Sequence, residues 1–313
     1  MAEKIATRES YGAALVELAE KYDFVVMDAD LAEATKTVKF KKAYPQRFFD
    51  CGIAEGNMMS VAAGIATTGK TVFASSFAMF AAGRAFEQVC NSIGYPHLNV
   101  KIGATHAGIT VGEDGATHQC NEDIALMRTI PGMTIVNPAD AIEARAAVEA
   151  AINTNGPFYL RFGRFAVPVI NDQPDYKFEL GKGRCLKDGS DVTIVATGLM
   201  VSMALEAAET LAAEGIHARV INIHTIKPID AEIITKAAKE TGAIVTAEEH
   251  NIIGGLGSAV AEVVGENAPA PVVRVGMKDT YGHSGTVPAL LEQYGLTPAA
   301  IVDAAKKAMA MKH

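Results

Sequence analysis

Short runs rich in Val, Ile and Phe alternate with Ala-rich stretches of helical spacing along nearly the whole chain. This alternation restricts the fold more than any single motif does. In the first half the runs are Phe24–Met27, Thr71–Ala74, Asn99–Gly103, Met133–Val136 and Pro157–Leu160. In the second half they are Val192–Ala196, Ala218–Ile223, Ala243–Ala247 and Val272–Val275. The stretches of helical character include Arg8–Lys21, Asp140–Thr154, Val201–Glu214, Asp230–Thr241 and Thr297–Met311. A run that is apolar at successive positions is buried on both faces, and helical crossovers between such runs lay the strands parallel. The pattern predicts an α/β protein of two three-layer domains, each a mainly parallel sheet covered by helices.

The texture breaks between about Phe165 and Asp191, where Val167-Pro-Val-Ile-Asn-Asp-Gln-Pro-Asp-Tyr176 is polar and rich in turn formers. We divide the chain at this point into a domain over 1–170, a linker over 171–190 and a second, smaller domain over 191–313. A length of 313 residues suits two such domains. The net charge of −8, with no basic block, argues against nucleic acid or an anionic membrane surface as partner. Lys70 and many small residues interrupt the longest apolar stretch, Met58–Gly83, so a membrane span is not expected. The first residues lack a charged-then-apolar export signal. Cys51, Cys90, Cys120 and Cys185 are scattered without metal-binding or disulfide spacing. A cytoplasmic protein is the expectation.

Several residues stand out as chemistry. Glu55 heads the small-residue segment Gly52–Gly64, where a buried carboxylate is costly unless it is held or used. Phe77 and Phe80 follow the strand Thr71–Ala74 and, three apart on a helical turn, would share a face. They are either core packing or a shelf for a flat heteroaromatic ring. The loop Thr105–His118 carries His106, Glu113, Asp114 and His118 between glycines, at the carboxyl end of a predicted strand where open α/β sheets build their sites. It has no HxH or HxxxH spacing, so hydrogen bonding to a hydroxylated substrate suits it better than a metal. Arg8 and Arg161, at a helix start and a strand end, are either surface ion pairs or an anion clamp. Gly254-Gly-Leu-Gly-Ser258 falls short of a dinucleotide fingerprint and reads as a closely packed helix entry.

In order and spacing, the segments Asp28-Ala-Asp-Leu31, Gly52-Ile-Ala-Glu55, Ser76-Phe-Ala-Met-Phe80, His106 with Asp114-Gly115 and Thr117-His118, and Glu248-Glu-His-Asn251 resemble one family. It is the C-terminal half of transketolase in its split, two-chain form, and the resemblance runs from Ala6-Thr-Arg8 to the last helix. It implies a pyrimidine-binding domain of thiamine diphosphate enzymes followed by a transketolase C-terminal-like domain. By this resemblance Glu55 bonds N1′ of the cofactor's aminopyrimidine and shares a proton with it, with Phe77 and Phe80 stacking on the ring. His106, Arg161 and Arg8 hold a substrate phosphate, and His118 contacts the donor sugar's hydroxyls as a second catalytic residue. Asp114 senses the acceptor's C2 hydroxyl, and Asp30 lies in the substrate channel.

Two positions depart from the family pattern. Gly83 replaces a third aromatic, and Ala34, followed by Thr35, replaces a phosphate-binding serine. The Gly-Asp-Gly…Asn motif for diphosphate and metal is missing, because Glu113 interrupts the only similar stretch. The resemblance therefore implies no metal ligand in this chain. A separate N-terminal subunit would hold Mg2+ or Ca2+ in an α2β2 heterotetramer. Its reaction would be transfer of a two-carbon ketol unit from a ketose phosphate to an aldose phosphate, as in the pentose phosphate pathway of carbohydrate metabolism. The alternatives are a transketolase variant for an unusual sugar, the β-subunit of a 2-oxo acid dehydrogenase, and a non-catalytic partner of a thiamine enzyme.

Overall fold

The computed structural model describes residues 3–312, and it contains two main sheets. The first has seven strands in the order Thr225–Lys227, Thr134–Val136, Phe158–Arg161, Val100–Thr105, Thr71–Phe77, Phe24–Asp28, Phe48–Asp50. All are parallel except Thr225–Lys227, which runs antiparallel to Thr134–Val136. The second has the order Val272–Met277, Ile244–Asn251, Val192–Ala196, Ala218–Asn222, Arg184–Lys187, and only its last strand is antiparallel. A small antiparallel pair, Lys4–Ala6 with Ala166–Pro168, ties the start of the chain to the end of the first unit. The α/β architecture of two units follows the sequence pattern.

Burial explains why these strands form. Every residue of Val100–Thr105 and of Val192–Ala196 is buried, which requires helices on both faces. Those helices start where the sequence provides caps. Asp140, Asp230 and Thr297 accept from the backbone N–H groups of Glu143, Ile233 and Ala300. Gly242 ends Ala231–Thr241 at φ 69°, a left-handed position that favours glycine. Among the described residues, no helix is long and apolar enough to cross a membrane.

Five short strands escape the sequence reading, Lys4–Ala6, Phe48–Asp50, Ala166–Pro168 and two that bear on the domain division. Arg184–Lys187 lies inside the stretch taken as linker, and it forms the edge of the second sheet. Thr225–Lys227 leaves the second unit to close the edge of the first sheet. Each of these two is three or four residues long and carries charged residues, so neither shows the apolar run that marks a buried strand. The Gly254–Ser258 stretch does lead into a helix, Leu256–Asn267. Its open N–H groups are already taken, since Glu248 accepts from Leu256 (2.6 Å) and Gly257 (2.8 Å). An internal carboxylate thus fills the place where a nucleotide phosphate would sit.

Buried polar links join the two units. Arg161 donates to both oxygens of Asp123 (2.8 and 3.2 Å) and to the Glu249 carbonyl (2.9 Å). Glu143, on the first unit's helix Ala141–Asn153, accepts from Asn222 of the second sheet and from Tyr176 between the units. Burial pushes the Glu143 carboxyl up to about 7, above its ordinary 4.5. Because the folded pKa is the higher one, the unfolded chain releases this proton first, and stability falls as pH rises between about 4.5 and 7. Glu143→Gln removes that term. In urea unfolding, the stability of the native chain relative to the variant should drop by up to about 3 kcal/mol between pH 5 and pH 7.5.

Candidate active site

The parallel strands Phe24–Asp28, Thr71–Phe77 and Val100–Thr105 end at one edge of the first sheet, and the segments that follow them converge there. Glu55 is the first residue of helix Glu55–Ala66, whose inner face is Met58, Met59, Ala62, Ala63 and Ala66. Its side chain is 2% exposed at the positive end of that helix. Both carboxylate oxygens accept from Nη1 of Arg84, at 3.0 and 3.1 Å.

Phe77 is the last residue of its strand, not part of a helical turn as the spacing suggested. The chain then widens into a π-helical turn over Met79–Arg84, a rare geometry often found at functional sites. That turn still brings Phe80 against Phe77, with ring centroids 5.8 Å apart and planes 13° off parallel. His106 stacks on Phe77 at 3.8 Å, and His118 meets Phe80 edge-on at 5.4 Å. A Cβ on Gly83 would touch only the Met79 sulfur, at 3.5 Å, so the backbone here is not crowded.

His106 sits between Arg8 Nη1, 2.9 Å from its Nε2, and the Thr105 hydroxyl, 2.9 Å from its Nδ1. Burial, with Arg8 and Arg164 nearby, drives its pKa down to about 3, so the ring is neutral near pH 7. Arg8 can only donate, which leaves Nε2 as acceptor and puts the ring proton on Nδ1, facing Thr105. Arg8 also donates to the Ala34 carbonyl (3.0 Å), while its buried Nε has no partner. Arg164 is close enough to disfavour charge on both Arg8 and His106, and it donates to Asp114 (3.3 Å) and to the Val111 carbonyl. Arg8, with a buried unpaired donor, and Arg164 offer cationic N–H groups that an anion can accept from.

Arg161 is not in this cluster. It is the last residue of the strand Phe158–Arg161, 3% exposed, and is held by Asp123 and the carbonyls of Glu249 and Cys120. The anion clamp expected of it fails, because a second anion could reach it only by breaking a buried pair. Arg164, three residues on and past the strand's end, was missed in the sequence. The signal was its position where the chain leaves the sheet. Thr35 likewise cannot replace the absent serine, since its buried hydroxyl donates to Asp28 Oδ2 at 2.7 Å. Asp30 is exposed at φ 61° and lines a 300 Å³ hollow with Lys41, Asp50 and Ala34, whose carbonyl accepts from Arg8.

The second unit holds the loop that carries Asp114 and His118. Glu249 accepts from the Thr110 N–H at 2.7 Å, and a Cβ on Gly108 would come within 2.2 Å of that carboxylate. At the other end Gln119, 2% exposed, donates to the His283 carbonyl at 3.0 Å. The sequence assigned this domain no such part. No group of three His, Cys, Asp or Glu side chains among the described residues could hold a metal ion.

The sequence model for the transketolase pyrimidine binding domain matches residues 3–169, and that for the transketolase C-terminal domain matches residues 181–301. The chain belongs to the transketolase family. A solved structure described as a split gene transketolase, an inactive beta4 tetramer, is 56% identical, with a TM-score of 0.91 over 99% of this chain and 100% of that one. A Methanocaldococcus jannaschii protein named as a transketolase C-terminal section is 51% identical over 92% of each chain. A 6-deoxy-6-sulfo-D-fructose transketolase subunit of a Clostridium strain is 46% identical over 98% of this chain and 95% of its own. In this transketolase-family chain, Gly282→Ala would place a methyl 1.9 Å from the Gln119 amide oxygen. The variant should lose about 1–3 kcal/mol of stability and show faster amide hydrogen exchange over residues 109–119.

Proposed function

We propose that this chain is the C-terminal subunit of a two-chain transketolase, with residues 1–170 as its pyrimidine-binding domain. It works with a separate N-terminal subunit to move a two-carbon ketol unit from a ketose phosphate to an aldose phosphate. The observation that carries this reading is the grouping of a buried carboxylate, a pair of stacked phenylalanines and an arginine–histidine anion site at one sheet edge.

The site fits thiamine diphosphate. Phe77 and Phe80 offer a flat apolar face, the backbone at Gly83 is not crowded, and Glu55 offers a buried acceptor for a ring N–H. When bound, the cofactor supplies the carbanion chemistry. Glu55 holds the proton at the aminopyrimidine N1′, a role suited to a carboxyl screened from water. His118, half-buried with Nδ1 2.9 Å from the Thr117 hydroxyl, presents its other ring nitrogen for a sugar hydroxyl. Asp114 meets the acceptor's C2 hydroxyl, and Asp30 lines the approach. Arg8, Arg164 and neutral His106 take the substrate's terminal anion, in place of the Arg8–His106–Arg161 set that the sequence suggested.

The anion is a phosphate in the leading reading. Ala34 brings no hydroxyl to this site, which leaves room for a transketolase variant that takes another acidic sugar, as the name of the Clostridium relative records for that protein. Family membership favours ketol transfer over 2-oxo acid decarboxylation. The cofactor's diphosphate and its Mg2+ or Ca2+ belong to the N-terminal subunit, in an α2β2 assembly. Four free cysteines suit a reducing cytoplasm.

Mixing the chain with an N-terminal subunit should give ketol transfer that neither shows alone; turnover by this chain alone would overturn the assignment. Glu55→Gln should lower kcat of the mixture at least about 100-fold without changing the fold by circular dichroism. Arg164→Ala should raise KM for a sugar phosphate by about tenfold, with a smaller effect on a sugar lacking the anion.

A further inference from the structure

Glu55 is not waiting with its oxygens free. Nη1 of Arg84 lies 3.0 and 3.1 Å from its two oxygens, and the Arg84 guanidinium carbon sits 4.5 Å from the centre of the Phe80 ring. A planar cationic group thus stacks on the aromatic shelf and gives N–H donors to the buried acid. Those are the contacts an aminopyrimidine ring would make with the same two residues. From this geometry we infer that Arg84 is a built-in stand-in for the cofactor ring, which gives up Glu55 when the ring binds. The inference rests on the reading of Glu55 and Phe80 as the aminopyrimidine site.

Three features support an exchange and argue against a permanent pair. The first is an asymmetry of burial, since the Glu55 side chain is 2% exposed and that of Arg84 is 53% exposed. A buried carboxylate without a partner is costly, whereas an exposed guanidinium returns to water at little cost. The pair therefore serves the acid, and any ligand that supplies a donor to Glu55 can release Arg84. The second is that Phe80 and Arg84 stand on one short turn, Met79–Arg84, so the arginine reaches Glu55 from over the ring itself. The third is Gly83 beside the arginine. A Cβ there would meet nothing but the Met79 sulfur at 3.5 Å, so the backbone beside Arg84 is not crowded. In the free subunit Arg84 keeps Glu55 satisfied and competes with the ring. The cofactor is then held well only when the second subunit adds its grip on the diphosphate.

The test is a double-mutant cycle of Arg84→Met and Glu55→Gln, read by calorimetric binding of thiamine diphosphate with Mg2+ to the two-subunit complex. Met keeps an apolar stem over Phe80 and removes the charge. Arg84→Met should tighten binding by about fivefold in the native background and leave it unchanged beside Glu55→Gln, because no acid then remains to compete for. Weaker or unchanged binding in Arg84→Met, with Glu55→Gln weakening it, overturns the exchange and leaves the aminopyrimidine reading standing. Unchanged binding in Glu55→Gln overturns that reading and the exchange with it. A second readout needs no ligand. In the chain alone, Arg84→Met should lower Tm by about 2–4 °C when Glu55 is present and leave it unchanged when Gln replaces it. An equal drop in both backgrounds shows that Arg84 serves only packing, which also overturns the exchange.

Discussion

The buried pair of Arg161 and Asp123 sets the frame in which the other functional residues stand. Neither side chain reaches water, so each holds its charge only because the other is there, and Arg161 stays protonated while Asp123 stays ionised. The same guanidinium reaches the carbonyl of Glu249 in the second sheet, so one side chain fixes both units at once. The Glu249 carboxylate in turn receives Thr110, at the start of the loop that carries Asp114 and His118. A chain of direct bonds thus runs from the domain junction to the site.

The fold was largely legible in the sequence because strands buried on both faces cannot avoid apolar runs. What the runs hid was their length. Thr71–Ala74 extends to Phe77 through two serines, and Pro157–Leu160 extends to Arg161, because polar residues stay in a strand when a buried partner is waiting. Ser75 meets the Tyr11 hydroxyl at 2.6 Å, and Arg161 meets Asp123. The buried partner, not the position along the strand, decides what the arginine can do. Arg161 does end its strand, but it is turned inward to Asp123, whereas Arg164 stands three residues beyond the end, beside Asp114. The short strands Arg184–Lys187 and Thr225–Lys227 were illegible for the opposite reason, since edge positions do not demand apolar residues.

At the site itself, charge is placed by burial. Arg8 and Arg164 crowd one another and keep His106 neutral, so the cluster has cationic donors and a neutral acceptor in contact. The carboxylates close by are Asp114 and Glu113, 3.3 and 3.9 Å from Arg164, and Glu9 beside Arg8, while Glu55 is held by Arg84. The phenylalanines touch both groups, since His106 stacks on Phe77 and the Arg84 guanidinium lies over Phe80. Gly108, Gly112 and Gly115, all at positive φ, let the loop fold tightly enough for both to fit at one edge.

The strand Thr225–Lys227 bears on how the chain is assembled in time. A polypeptide leaves the ribosome from its first residue, and the sheet that carries the site lacks its border until residue 227 has emerged. Until then Thr134–Val136 presents bare N–H and C=O groups to any neighbouring chain. The second unit thus covers an edge of the first, and cutting the chain between the two would leave that margin bare.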